Sequence, residues 1–527
     1  MHFRGVSKSL SSFSKKIVAR LREATGMHRA LLSFVFGAVS SIAYSPINCF
    51  PILWLSFPAL VIFMQGVRNA KQGFVIGWCF AFGSMLFSLY WIAASMFVDI
   101  AQFWWAVPLA VAGLPAFFAI YYGIAMAATA KFGVRNVSGA ILVALLWFLA
   151  DYARGHVFGG FPWNLEGYTW ARVLPALQIV SVIGIYGLTL LTLIAACLPA
   201  LLVDKNKRNL AVVASSLILF GLIVLWGGER LHHASEATVP NVRLRLVQPN
   251  TDQAHKWLPD QREKNFQQLL DLSSAPADKP VTHIIWPETA ATFYLVEDVE
   301  HRLRLAPYVP QGGAIMTGVI RRSEDAAGKL HYYNSLIAID DHARVVAGYD
   351  KVHLVPFGEF MPLRRFVPIP ALVNLGLDFS FGDAARSLRV IGLPPFSPLI
   401  CYEVIFSGDV VDRDDRPQFL MNITNDGWYG RTAGPYQHFA NAKFRAVEEG
   451  LPLVRAANTG ISGVVDAYGR ITARLGVGKT GYLDADLPQA LEPTFFSRYK
   501  EIPLWALFGI ATLYVFLSLI SGRKARK

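Results

Sequence analysis

Residues 282–288, Thr282-His283-Ile284-Ile285-Trp286-Pro287-Glu288, make a short apolar run that a proline closes. The run does not alternate with polar residues, so it reads as a strand covered on both faces. Pro287 has no N–H to give a ladder and marks the strand's end. Glu288 therefore stands just past it. Residues 418–424 read the same way, as do residues 397–401, where Pro398-Leu399-Ile400 leads into Cys401, Tyr402 and Glu403. Outward from these lie further β-rich runs at 242–248, 313–320, 332–340, 343–349, 451–457 and 461–466, with helical stretches at 258–273 and 436–449. Apolar strands mixed with helices predict a layered α/β domain. We bound it at 228–502, about the size of one large domain.

The rest of the chain is of another kind. Of 527 residues, 54% are hydrophobic and 16% charged, against about 25% charged in an ordinary soluble domain. That excludes a plain soluble enzyme and the disordered and fibrous classes. Apolar runs of spanning length lie at 30–48, 51–67, 72–96, 104–129, 137–153, 176–203, 208–227 and 503–521. The expectation is a membrane protein with seven helices before the α/β domain (30–227) and an eighth after it. The run at 51–67 is short, and Pro46 and Pro51 divide it from the first. The first run follows too long a basic segment, with no small-residue cleavage site after it, to read as a cleaved signal peptide.

The net charge of +12 is concentrated at the ends. Residues 1–29 hold seven basic residues against Glu23, and residues 522–527 hold Arg523, Lys524, Arg526 and Lys527. Every second connection is basic as well: Arg68 and Lys71, then Lys131 and Arg135, then Lys205, Lys207 and Arg208. The loop 97–103 has no Lys or Arg, and 154–175 has only Arg154 and Arg172. By the positive-inside rule both termini are cytoplasmic and 228–502 is periplasmic. Charge held in tails beside apolar runs, and not gathered on a folded face, argues against nucleic acid. The aromatic loop 154–175 reads as an interfacial belt, or as an entry wall for lipid.

Four cysteines are present: Cys49, Cys79 and Cys197 in or beside spans, and Cys401 alone within 228–502. Cysteines outside the cytoplasm usually pair, so an unpaired Cys401 is either an inert core residue or a nucleophile. Its position at a strand end has the logic of a nucleophile elbow. Glu288 ends another strand. Lys351 ends a third, after Tyr349-Asp350 and before Pro356-Phe357-Gly358-Glu359. Sites in α/β folds gather at such ends.

With Trp286-Pro287-Glu288, Tyr349-Asp350-Lys351 and Cys401-Tyr402-Glu403 in that order, the chain resembles the carbon–nitrogen hydrolase (nitrilase) superfamily. The match extends to Lys256-Trp257, Tyr333-Asn334-Ser335, Asn425-Asp426-Gly427-Trp428 and Arg445–Gly460. Phe360 stands where that superfamily often has tyrosine. With its apolar runs, the whole chain resembles the apolipoprotein N-acyltransferase family. The resemblance implies an α-β-β-α sandwich and a catalytic set of Glu288, Lys351 and Cys401. Glu359, Glu403, Tyr402, Trp257 and Asn334 would support it, with no metal and no cofactor.

It further implies a monomer that moves an acyl chain from a phospholipid, through a thioester, to a diacylated apolipoprotein. A free thiol titrates near pH 8.5 unless a cation or base assists, so Glu288 would take the proton and Lys351 would favour the thiolate. The apolar segment 361–382 is expected to form an arm over the site. A membrane-tethered amidase acting on a small amide shares the same three residues. A transporter or receptor would place ionisable residues inside its spans, which are nearly free of them.

Overall fold

In the computed structural model, residues 21, 23–134, 136–204, 206–362, 378–384 and 386–524 are described. Residues 363–377, most of the expected arm, lie outside them. The chain forms two compact units. One holds Met1–Tyr90, Trp105–Arg230 and Tyr499–Lys527; the other holds Trp91–Trp104 and Leu231–Arg498.

The first unit is helical. Among the described residues six helices are long and apolar enough to cross a membrane: Gly26–Ala43, Leu109–Thr129, Val137–Gly159, Val180–Asp204, Lys207–His232 and Ile502–Ser521. The expected continuous span at 72–96 is instead a pair, Ala70–Ser88 and Tyr90–Ala106, bent by 49°. The expected span at 51–67 is the shorter apolar helix Phe50–Gln65. Two of the basic connections end in helix starts that asparagine caps. Asn69 Oδ1 accepts the Gln72 amide at 3.0 Å, and Asn136 Oδ1 accepts that of Gly139 at 2.9 Å, satisfying donors that a helix start leaves open.

The loop 154–175 departs from an interfacial belt at its tryptophans. Trp163 and Trp170 are buried, whereas Phe158 is exposed. Arg154 draws the loop inward, donating to the carbonyl oxygens of Phe161 (2.6 Å) and Trp163 (2.7 Å) and pairing with Asp151 at 3.0 Å. Trp170 stacks on Phe50 with centroids 4.4 Å apart.

Among its described residues the second unit carries eleven strands in two sheets. Strands β1 (Thr238–Gln248), β2 (His283–Ile285), β3 (Ala314–Glu324), β4 (Leu330–Asp340), β5 (Val345–Asp350) and β11 (Gly481–Pro488) form one sheet, in the order β11-β1-β2-β3-β4-β5. Strands β6 (Phe396–Ile400), β7 (Phe419–Thr424), β8 (Leu453–Ala457), β9 (Ser462–Val465) and β10 (Ile471–Leu475) form the other, ordered β10-β9-β8-β7-β6. In the first sheet the parallel trio β1-β2-β3 is flanked on both sides by antiparallel strands. In the second the parallel trio β6-β7-β8 starts at one edge, and antiparallel β9 and β10 continue it on the other side.

Strand periodicity divides the apolar residues between two cores. On β3 and β4, Ala314, Met316, Leu336 and Ala338 face a cluster shared with Phe396, Ile400, Phe419, Met421 and Val454 of the other sheet. The alternate residues Ile315, Val319, Ile337 and Ile339 join Trp286 and the helix Pro259–Ser273 through Phe266, Leu269 and Leu270. The helix Gly434–Glu449 is buried along nearly its whole length. The parallel strands end where Glu288, Cys401 and Asn425 follow β2, β6 and β7.

Candidate active site

The chain past β2 brings Glu288 into a buried cluster. Glu288 Oε1 accepts Asn334 Nδ2 at 2.7 Å, and Oε2 accepts the Asn425 backbone N–H at 2.9 Å. Lys351 follows β5 and is 1% exposed. Its ammonium lies 2.8 Å from Glu359 Oε1 and 3.5 Å from Glu288 Oε1. Asn334 Nδ2 also donates to Glu359 Oε1 at 2.8 Å, so one amide bridges both carboxylates. Glu359 Oε2 accepts the Val355 amide at 2.8 Å, which closes the turn carrying it.

Burial alone would lower the proton affinity of Lys351, but Glu359, Glu288 and Cys401 outweigh it and hold the ammonium well above its ordinary range. Lys351 is thus a fixed cation. Cys401 is buried, sits directly after β6 and has φ of 53°, left-handed backbone for a non-glycine residue. Burial pushes its thiol up to about 12, with Glu288 acting in the same direction. Lys351 pulls it down, as does a hydrogen bond from Thr424, while Asp426 adds to the rise. The lysine acts in the expected direction without making a resting thiolate.

Glu403 does not pair with Lys351. Its Oε1 accepts Tyr349 Oη (2.8 Å) and the amides of Val352 (2.7 Å) and His353 (3.2 Å), and its Oε2 accepts the Ile400 amide (2.7 Å). It therefore fixes the backbone beside both Lys351 and Cys401. Burial raises its proton affinity. The Tyr402 ring packs edge-on against Phe406, centroids 5.2 Å apart. Trp257 packs with Tyr294, Tyr332 and Phe360 around Ile320, Leu354 and Phe379, with Lys256 Nζ 5.8 Å from its ring centroid.

Several further residues share the site. Lys256, fully buried, donates to Thr289 Oγ1 at 2.8 Å, and burial lowers it to about 8 against the opposing pull of Glu288. His438 sets Nε2 3.1 Å from the Cys401 carbonyl oxygen and Nδ1 2.8 Å from Asp426 Oδ1. Arg455 pairs with Asp426 at 2.9 Å. Tyr429 Oη lies 3.9 Å from Cys401 Sγ. Asn425 and Asp426 fall in a motif the sequence had marked. His438, inside a helix, had no local signal. A buried carboxylate, a fixed cation and a buried thiol at strand ends suit acyl transfer through a covalent thioester.

Comparison with known families agrees with that chemistry. The family model for carbon–nitrogen hydrolase matches residues 243–494. That for the apolipoprotein N-acyltransferase N-terminal domain matches residues 36–198. The unit holding the site is thus a carbon–nitrogen hydrolase domain, carried on a chain rich in apolar helices. Among curated relatives, the apolipoprotein N-acyltransferase of Rhodopseudomonas palustris is 37% identical over 95% of this chain and 97% of its own. That of Bradyrhizobium diazoefficiens is 38% identical over 93% and 94%, and that of Brucella melitensis 37% over 96% and 97%. The chain belongs to the apolipoprotein N-acyltransferase family. Among solved structures, an amidase from Nesterenkonia sp. is 20% identical, covering 52% of this chain and 100% of its own, with a TM-score of 0.36.

Proposed function

We propose that this chain transfers an acyl chain from a phospholipid, through a thioester on Cys401, to the N-terminal amine of a diacylglyceryl-cysteine lipoprotein. The observation that carries the reading is Cys401 at the end of β6, its thiol affinity shaped by Glu288 and Lys351, in a chain related over its length to N-acyltransferases. Cys401 attacks the ester carbonyl and its proton passes to Glu288. Lys351 and a backbone N–H beyond Cys401 hold the oxyanion. The C–O bond breaks, the proton goes to the leaving oxygen, and a lysophospholipid departs. The acceptor amine, having lost its proton to Glu288, then attacks the thioester. The C–S bond breaks and Cys401 regains a proton.

In the same reading the second unit is an α-β-β-α sandwich spanning 228–502 on the periplasmic side. The chain crosses the membrane eight times, Ala70–Ser88 of the bent pair and Phe50–Gln65 each counting as one crossing. Residues 1–29 and 522–527 are cytoplasmic, and the enzyme acts as a monomer. The basic connections and the apolar helices support this topology. Incubating the protein with phospholipid alone should yield lysophospholipid and an acyl group on Cys401, found by mass spectrometry. An acyl group on another residue, or turnover by C401A, would overturn the proposal.

A further inference from the structure

The segment Trp91–Trp104 belongs to the catalytic unit although it lies between apolar helices in sequence. Its first residue is 4% exposed. Trp91 Nε1 donates to Gln437 Oε1 at 2.9 Å, and its ring meets that of Tyr429 edge-on with centroids 4.6 Å apart. The approach is close enough to require glycine at 434. A Cβ there would lie 2.7 Å from Tyr429 Cβ and 3.0 Å from the Trp91 ring. Tyr429 is thereby held with Oη 3.9 Å from Cys401 Sγ.

We propose that Tyr429 is a further catalytic residue, its hydroxyl donating a hydrogen bond to the Cys401 sulfur whenever that sulfur carries charge, with Trp91 holding the ring in place. The inference rests on Cys401 being the nucleophile. Burial, then Cys401 and Asp426, raise the phenol's proton affinity, so it stays a donor. At 3.9 Å the contact is long for a resting thiol. Catalytic hydrogen bonds in unliganded sites often are, and they tighten as charge develops. Sulfur becomes anionic twice, as it attacks the ester and as it is expelled by the amine. A thiol of high proton affinity is a poor leaving group, and donation from Tyr429 lowers the barrier to both events. The phenolic proton stays on oxygen throughout.

The test compares Y429F with the wild-type full chain in detergent with phospholipid. Cys401 alkylation by iodoacetamide is followed against pH, with label position read by mass spectrometry. The groups that act on the sulfur (Glu288, Lys351, Asp426 and the Thr424 hydroxyl) and His438 at the Cys401 carbonyl oxygen are unchanged between the two proteins. Loss of a hydrogen bond to a charged atom predicts alkylation about tenfold slower near neutral pH, and a profile displaced upward. Consumption of the thioester by acceptor should slow to a similar degree. Q437L, which removes the acceptor for Trp91 Nε1 and keeps the hydroxyl, should show a smaller shift of the same sign. Superimposed profiles for Y429F and wild type would overturn the proposal. If wild type forms no thioester with phospholipid, the proposed function fails, and the alkylation ratio still decides the role of Tyr429.

Discussion

Glu288 Oε2 accepts the backbone N–H of Asn425 at 2.9 Å, which ties the chain after β2 in one sheet to the chain after β7 in the other. The carboxylate assigned as base is therefore placed by both sheets. Its second oxygen is left to Asn334 and Lys351.

Removing the base tests the assignment. E288Q keeps a carbonyl oxygen for the Asn425 amide but cannot take a proton from Cys401. Loss of general-base catalysis typically costs about 10²–10⁴-fold. The burst of lysophospholipid from one turnover should fall by that order, with the thermal midpoint little changed.

Lys351 lowers the thiol's proton affinity while Glu288 raises it. In wild type, with the thiol at about 12, alkylation of Cys401 should climb steadily through the alkaline range without a plateau near pH 8.5. K351M should be slower still at every pH, measured as the rate of iodoacetamide labelling.

Asp426 gives a stability prediction with a definite sign. Burial would raise its proton affinity, but Arg455 and His438 outweigh that and hold it at about 2. Its unfolded value is about 3.9. The stabilisation is present above that value and is lost as pH falls toward 2. It amounts to about 2–3 kcal/mol for a group this deeply buried. Denaturant titrations should show wild type losing this amount between about pH 4 and pH 2. D426N should lack that component, and should start lower because Arg455 is left without its partner.

G434A tests the packing behind Tyr429. The added methyl would sit 2.7 Å from Tyr429 Cβ, forcing the ring or Trp91 to move. Overpacking of this kind costs about 1–3 kcal/mol. Thermal unfolding should register it, and thioester formation should slow beyond what the lost stability explains.

The parts of the fold that were legible share a physical cause. Strands β2 and β7 are covered on both faces, so apolar residues run through them with only His283, Asn422 and Thr424 breaking the run, and they stand out. Strands β10 and β11 escaped because they sit at edges or beside them and mix Thr, Arg and Asp with apolar residues. The bend after Ser88 carries no proline or glycine at Leu89, so the run 72–96 looked continuous. At the site, Glu288, Lys351 and Cys401 were legible because each closes a strand. Glu403 was legible as a site residue but not in its role, since three of its four donors, from Tyr349, Val352 and His353, come from a segment remote in sequence. His438 reaches Cys401 only through the packing of a helix, which no local spacing encodes.

The left-handed backbone at Cys401 has a consequence for how the sequence is maintained. A side chain at φ of 53° costs on the order of 1 kcal/mol that glycine would not bear. C401G should thus be inactive and yet lose less stability than removal of a buried side chain ordinarily costs. Folding alone does little to hold cysteine at this position, and on the proposed reading drift at this codon is opposed chiefly by the need for the reaction.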